Sequence, residues 1–444
     1  MSMINNALSG LNAANVALTV AGQNVANAAV EGYSRQAAYF ETAGSPLGGV
    51  NVVSVERIVD AFLNDDIWRT SSSLGYYEAK QSYLGYIEEV VGTDTLNFND
   101  AITEISNAFS AAATTPDSLA YRQEIISSSE SLLQDLAQLN GALEGQLDKL
   151  SLEMSNLALT SSSLTAQIAE INDKITQSEA KNLPTSELKD NRERLVTELS
   201  NTIGIAITDR DDGSIDISTL SGAPLVIGNK AAEITVSGTT VTTSLAGQSF
   251  QLTDQVGGRF GGLISVDTQV IKPTFASLNT LVQDLADDMN TALSEGFDLT
   301  GNAGIALFDY NPVNPLGTIT INSAITPEKL ALIGGEFDLS GTWVATGGPG
   351  DNANIANIVA AIANNGSGFT SLVGDLAINS QQNQNSILTS TTLNDSAVLA
   401  RDSRSGVNLD EEAASLMHFQ QMYSANAKVI TTADQMFTSL LNMF

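Results

Sequence analysis

Residues 118–182 of the chain read SLAYRQEIISSSESLLQDLAQLNGALEGQLDKLSLEMSNLALTSSSLTAQIAEINDKITQSEAKN, with no proline between the two ends. Apolar residues recur through this stretch at Leu132, Leu136, Leu139, Leu143, Leu147, Leu150, Met154, Leu157, Leu164, Ile168, Ile171 and Ile175. Steps of mostly three and four keep them on one face of an α-helix. The spacing predicts a single helix on the order of 95 Å long, at about 1.5 Å per residue. Two successive four-residue steps, Leu139 to Leu143 to Leu147, shift the heptad phase beside Gly141 and Gly145, where local unwinding and a bend are expected. Pro184 stops the helix, and a second helix carrying Leu188, Leu195 and Leu199 is expected to fold back on it.

Outward from this spine, two more apolar stripes are expected to pack on the long helix: Leu278, Leu281, Leu285, Met289 and Leu293, and a second that begins at Phe369, Leu372 and Leu376. From Ile203 the rhythm changes to alternation with Asp212-Gly213 and Ser237-Gly238 at the turns, which predicts hairpins through Ile215 to Ser218, Ile234 to Val236 and Thr239 to Thr243. A second β-like stretch lies at Thr318 to Asn322 and around Trp343. The fold class read from these patterns is α+β, mainly α: an elongated antiparallel helical bundle, terminal coiled-coil helices and one small inserted β domain. The division expected is a terminal domain (1–58 and 404–444), a helical bundle (59–202, 263–300 and 351–403) and a β-rich outer domain (203–262 and 301–350).

The ends have a character of their own. No side chain from Met1 to Val30 is charged, in a chain that carries 50 acidic and 19 basic residues and a net charge of -31. A segment of that kind expects to be covered. Ile4, Leu8, Leu11, Leu18 and Val25 step by heptad spacing, with Asn15 and Gly22 in the skipped places. At the other end Leu409, Ala413, Leu416, Gln420, Tyr423, Ala427, Ile430, Asp434, Phe437, Leu441 and Phe444 alternate by four and three. Both read as coiled-coil seams, and the simplest arrangement pairs them with each other.

Beside the first seam stand Asn24-Val25-Ala26-Asn27 and Glu31-Gly32-Tyr33-Ser34-Arg35. Asn27 tolerates a helix end, Gly32 permits positive φ, Tyr33 offers an aromatic anchor and Arg35 a forked donor. Near the other end stand Gly406-Val407-Asn408-Leu409-Asp410-Glu411-Glu412-Ala413-Ala414, Phe419-Gln420-Gln421-Met422-Tyr423 and Ala425-Asn426-Ala427-Lys428-Val429-Ile430. Acidic residues in the first turn of that helix favour the positive end of its dipole. These segments resemble the signature of the rod, hook and first hook-associated proteins of bacterial flagella. The Leu-Asp-Glu-Glu and Phe-Gln-Gln wording, with Val59-Asp60-Ala61-Phe62-Leu63, Tyr121-Arg122-Gln123 and Arg192-Glu193-Arg194-Leu195-Val196, favours the hook-associated protein 1 family.

The resemblance implies a structural subunit that joins hook to filament by helical self-assembly through its terminal helices. It implies export unfolded through the flagellar type III apparatus, and as partners further copies of the chain, the hook protein, hook-associated protein 3 and a cytosolic export chaperone. The place implied is extracellular, at the hook–filament junction. Rival readings are another axial subunit of hook or distal rod, which the long helix disfavours, and a coiled-coil surface adhesin, which leaves the matched uncharged ends without a reason.

Composition and motifs point away from other classes. The acidic balance repels nucleic acid and anionic lipid, and no run of about 18 apolar residues is present for membrane insertion. The N-terminus lacks the basic start of a secretory signal. With no cysteine and a single histidine, His418, neither a catalytic triad nor a two-histidine metal site can form within one chain, and no cofactor is expected. Asp209, Asp211, Asp212 and Asp216 around Gly213 do not have calcium-loop spacing and read as a hairpin turn. Gly257, Gly258, Gly261 and Gly262 lack phosphate-loop spacing and read as a flexible crossing between domains.

Overall fold

The computed structural model describes residues 2–30, 32–44, 48–92, 98–363 and 365–443; Glu31 of the signature and Phe444 of the second seam lie outside them. The chain opens with helix α1 (Ser2–Asn27), a hairpin of β1 (Gln36–Thr42) and β2 (Val50–Arg57), and helices α2 (Ala61–Gly92) and α3 (Phe98–Ala112). The proline-free stretch forms α4 (Leu119–Glu179), 61 residues that continue as helix through Gly141 and Gly145. At about 1.5 Å per residue that is roughly 90 Å. After a turn in which Asn182 takes φ 53, α5 (Ser186–Thr202) runs back along α4. Leu132, Leu136, Leu139, Leu143, Leu150, Met154 and Ile168 of α4 share a core with Ile105 and Phe109 of α3 and Leu195 and Leu199 of α5.

Seven strands follow: β3 (Ile205–Asp209), β4 (Ile215–Thr219), β5 (Pro224–Ile227), β6 (Lys230–Ala231), β7 (Glu233–Ser237), β8 (Thr240–Leu245) and β9 (Gln248–Gln251). They make an antiparallel sheet of order β3-β4-β5-β6 and another of order β7-β8-β9. Gly213 and Gly238, at φ 78 and 60, sit in the β3–β4 and β7–β8 turns. Both sheets lie on the second half of α4, whose buried polar groups satisfy strand and turn backbone: Thr165 Oγ1 donates to Ala232 O at 3.2 Å, and Asn172 Nδ2 to Ile215 O and Gly228 O at 2.8 Å.

A helical run then passes through α6 (Gly258–Ser265), a π-helical segment (Val266–Ile271) and α7 (Lys272–Ser294). Beyond it come β10 (Phe308–Asp309), α8 (Pro315–Thr318), β11 (Thr320–Ile321), β12 (Gly335–Phe337), β13 (Trp343–Ala345), α9 (Ala353–Ala363), α10 (Gly366–Ser405) and α11 (Leu409–Leu441).

Three expectations are corrected. The two β-rich stretches do not share one domain. Residues 301–350 gather near the first turn of α4, where the buried Arg122 donates through Nη1 to Pro327 O at 3.1 Å and Leu330 O at 2.6 Å. Ser151, which donates to Gly238 O of the first β group, lies about 45 Å farther along the helix.

The stripes of α7 and α10 do not lie chiefly on α4. α7 packs on α9, and α10 runs antiparallel to α2; past Phe369 and Leu376 the buried face of α10 is Ser380, Asn383, Ser390 and Ala397, while its Ile378, Leu388, Leu393 and Leu399 are exposed. That face is matched by hydrogen bonds, Asn383 Nδ2 to Tyr77 O at 2.8 Å and Thr70 Oγ1 to Asn394 Oδ1 at 3.1 Å.

The glycine-rich stretch is not a flexible crossing. Gly258, Gly261 and Gly262 are buried in α6, where a Cβ on Gly258 would stand 2.6 Å from Thr202 O and one on Gly262 would overlap Tyr76 O. The glycines allow α6 to close on α2 and α5.

Candidate assembly site at the chain ends

α1, β1, β2 and α11 pack mainly on one another. Gly10 meets Asn426 while Arg35 reaches Glu411 and Glu412, so α1 and α11 run antiparallel. The α1 side of this pair is made of small residues: Ala7, Ala14, Ala17, Ala21 and Asn24 are buried, with Gly10 between the first two. They follow steps of three and four, the heptad rhythm of a coiled coil, and their size lets the helices approach closely. A Cβ on Gly10 would sit 2.8 Å from Asn426 Nδ2. On α11 the covered positions are Glu412, Leu416, Phe419, Asn426, Ile430 and Ala433.

The sequence-predicted seam is therefore displaced. Of its N-terminal residues, Ile4, Leu8 and Val25 face solvent, Leu8 at 49% exposure, and only Leu11 and Leu18 are half-buried. Of its C-terminal residues, Leu416 and Ile430 are half-buried against the pair, whereas Leu409, Tyr423, Phe437 and Leu441 are exposed. Large apolar side chains at heptad spacing are the usual marker of a coiled-coil core. On α1 the residues that meet α11 are mostly small, whereas α11 brings Leu416, Phe419 and Ile430 to the contact and leaves its other large side chains outside. The small-residue rhythm at 7, 10, 14, 17 and 21 was the legible signal.

The outer surface is broad. Met3, Ile4, Leu8, Met417, Met422, Tyr423, Val429, Met436, Phe437, Leu440, Leu441 and Met443 are all exposed, and after Glu412 only Lys428 and Asp434 carry side-chain charge. His418 is exposed beside Phe419. Ala433 is the last buried residue of α11, so its final two turns project past the start of α1.

The signature residues meet where this pair joins the rest of the chain. α1 ends at Asn27, and Gly32 takes φ 78. The buried Asn24 donates through Nδ2 to Gln36 O at 2.9 Å, and its Oδ1 accepts from Gln36 N at 3.0 Å and from the Tyr33 hydroxyl at 2.9 Å. Burial pushes the Tyr33 hydroxyl pKa up, and the charge of Asp190 adds to this. Arg35 ties the loop to α11, with Nε 2.7 Å from Glu412 Oε1 and Nη1 3.0 Å from Glu411 Oε2, and to the end of α10, with its backbone N–H donating to Ser405 O at 2.8 Å. Asn408 caps α11 by accepting from Asp410 N and Glu411 N.

Arg57, Ser34, Asp190 and Glu193 complete the cluster and were not among the predicted site residues. Arg57 Nη2 donates to Glu193 Oε2 at 2.6 Å and Ser34 Oγ at 3.2 Å. Its Nε lies 2.8 Å from Asp190 Oδ1, an ion pair off the line of a hydrogen bond. Burial raises the Asp190 carboxyl above its ordinary range even against the opposing pull of Arg57. Nothing in the local sequence around Arg57 marks it, because its partners lie on α5, far along the chain.

Compared with known proteins, residues 84–308 match the flagellar hook-associated protein FlgK helical domain, about half of the chain. The chain belongs to the FlgK family. Residues 401–443, the end of α10 with α11, match the flagellar basal body rod FlgEFG protein C-terminal family. Relatives of this family member include Flagellar hook-associated protein 1 of Escherichia coli, 25% identical with 100% of both chains covered, and Flagellar hook-associated protein 1 of Bacillus subtilis, 26% identical over 97% of this chain and 96% of the other. The flagellar hook junction protein FlgK from Burkholderia pseudomallei shares the fold, at a TM-score of 0.67 and 15% identity over 78% of this chain and 100% of that one. A FlgK-family chain is a structural component of the flagellum. Among the described residues no helix is long and apolar enough to cross a membrane and no group of His, Cys, Asp or Glu could hold a metal ion.

Proposed function

We propose that the chain is a non-enzymatic subunit that joins the flagellar hook to the filament, and that its copies assemble into a short tubular layer through the outward side of the α1–α11 pair. The observation that carries this reading is the reversed packing of that pair. Large apolar residues such as Leu8, Tyr423, Phe437 and Leu441 stand in water on helices almost free of charge, beside a body that carries nearly the whole net charge of -31. An apolar surface of this extent expects a protein cover, and further copies supply one of the same character. The assembly residues are Ile4, Leu8, Val25, Leu409, Tyr423, Phe437 and Leu441 at the outer surface, Leu11, Leu18, Leu416 and Ile430 at the edge of the pair, and Asn24, Asn27, Gly32, Tyr33 and Arg35 at its base.

By the family's relationships, the layer has the hook protein on one side and hook-associated protein 3 on the other, outside the cell. Export runs through the flagellar type III apparatus, with a cytosolic chaperone covering the apolar side of α11 beforehand. Nucleic acid and membrane insertion have no part in it. Deleting the gene and imaging the cells while assaying the medium for flagellin tests the reading. Hooks without filaments and flagellin lost to the medium are expected; normal filaments would overturn it.

A further inference from the structure

The terminal unit of α1, β1, β2 and α11 meets the rest of the molecule at a narrow junction. The chain crosses there twice, after Arg57 and between Ser405 and Leu409. The side-chain link is the grip of Arg57 on α5. The Arg57 side chain is only 7% exposed and reaches two carboxylates one helical turn apart, Asp190 and Glu193. Ser34 stands on the remaining side, its hydroxyl accepting from Arg57 Nη2 at 3.2 Å. Beside the grip the two units stand apart. A cleft of about 1170 Å³ opens between Asn15, Thr19 and Gln23 of α1 and Leu183, Pro184 and Glu187 at the α4–α5 turn.

We propose that Arg57 is a positioning residue: its hold on Asp190 and Glu193 sets the angle at which the terminal helix pair leaves the body, and the cleft is the space into which the pair swings when that hold is released. The planar guanidinium fork suits the task because it presents donors in two directions at once, which an ammonium on a flexible stem does not. Removing the cation also leaves two close carboxylates facing Ser34 without the guanidinium that pairs with both, so the hairpin loses its hold on α5. The inference rests on the assembly reading only for its use: copies that close into one layer must present their ends at one common angle. The geometry stands without that reading.

The absence of cysteine from the chain makes the test direct. Asn15→Cys and Glu187→Cys, both exposed and on opposite walls of the cleft, are spin-labelled in the full chain and their distance distribution is measured by pulsed electron resonance. With Arg57 intact, one narrow population is expected. Arg57→Ala should at least double its width, and Arg57→Lys should fall between. Asp190→Asn with Glu193→Gln should broaden it too, because that pair of changes removes both ion pairs from the other side and leaves the buried Arg57 cation without a counter-charge. Helix content and melting should stay within a few degrees of the parent, separating a loss of position from a loss of fold. An unchanged distribution in Arg57→Ala, or one already broad in the parent, overturns the proposal. Tube formation by the unlabelled chain is scored separately. Tubes with an unchanged Arg57→Ala distribution would sink the positioning role and leave the assembly reading, whereas a broadened distribution with no tubes would do the reverse.

Discussion

The helical body and the terminal pair solve the same packing problem in opposite ways. In the body, α4 turns Leu132, Leu139, Leu143, Leu150 and Met154 inward until almost nothing of them is exposed, against Ile105, Phe109, Leu195 and Leu199. In the terminal pair, the inward residues are Ala7, Gly10, Ala14, Ala17 and Ala21, and leucine, methionine and phenylalanine are turned out. Burial of a large aliphatic side chain is worth about 1.5–3 kcal/mol and of an alanine methyl far less. The body thus holds its fold from within, and the terminal pair keeps most of its apolar surface for contacts made outside the chain.

That contrast is open to attack from both sides. The largest effect should come from the body: Leu143→Ala, at a position with no exposure, should cost about 3–5 kcal/mol, read as a lower denaturation midpoint. Leu8→Ala should move the midpoint by no more than about 0.5 kcal/mol. Equal losses would mean that the terminal pair also depends on its large residues within one chain.

A smaller effect is expected at Gly10. Gly10→Leu must displace Asn426, whose amide already lies 2.8 Å from where a Cβ would stand. Overpacking of this kind costs about 1–3 kcal/mol, and the gain in helix propensity over glycine, about 0.8 kcal/mol, offsets only part of it. Amide hydrogen exchange should quicken in α1 and α11 while α4 stays protected. Unchanged exchange in α1 would show that the small-residue contact does not hold the pair.

Much of this architecture was legible from periodicity alone. The span of α4, the return at Pro184 and the hairpins marked by Asp212-Gly213 and Ser237-Gly238 follow from local rules of spacing, breakers and turns. What was not legible depends on distance. A stripe such as Leu278 to Leu293 shows that α7 is buried but not on what, and it is α9 that covers it. Gly258, Gly261 and Gly262 look alike as a loop and as a tight helix contact, and only the nearness of Tyr76 and Thr202 decides between them. Two β-rich stretches in one sequence do not reveal that they sit about 45 Å apart along one helix. At the ends, Gly32, Tyr33 and Arg35 stand in a motif that the sequence displays, whereas the contacts of Arg57 are not legible there because their partners, Asp190 and Glu193, lie on another element. On α1 the large residues Ile4, Leu8 and Val25 lie on the outer surface because Ala7, Gly10, Ala14, Ala17 and Ala21 meet α11, while Leu416 and Ile430 of α11 do face the pair.

The most direct test of the account combines Leu8→Asp with Phe437→Asp, both at residues that face solvent in the single chain. Circular dichroism and the melting curve of the isolated chain should be unchanged, because neither side chain is buried in it, while tube formation and filament growth on hooks should be lost. Tubes that form normally from the double variant would contradict the claim that the outward side of the terminal pair is what joins one copy to the next.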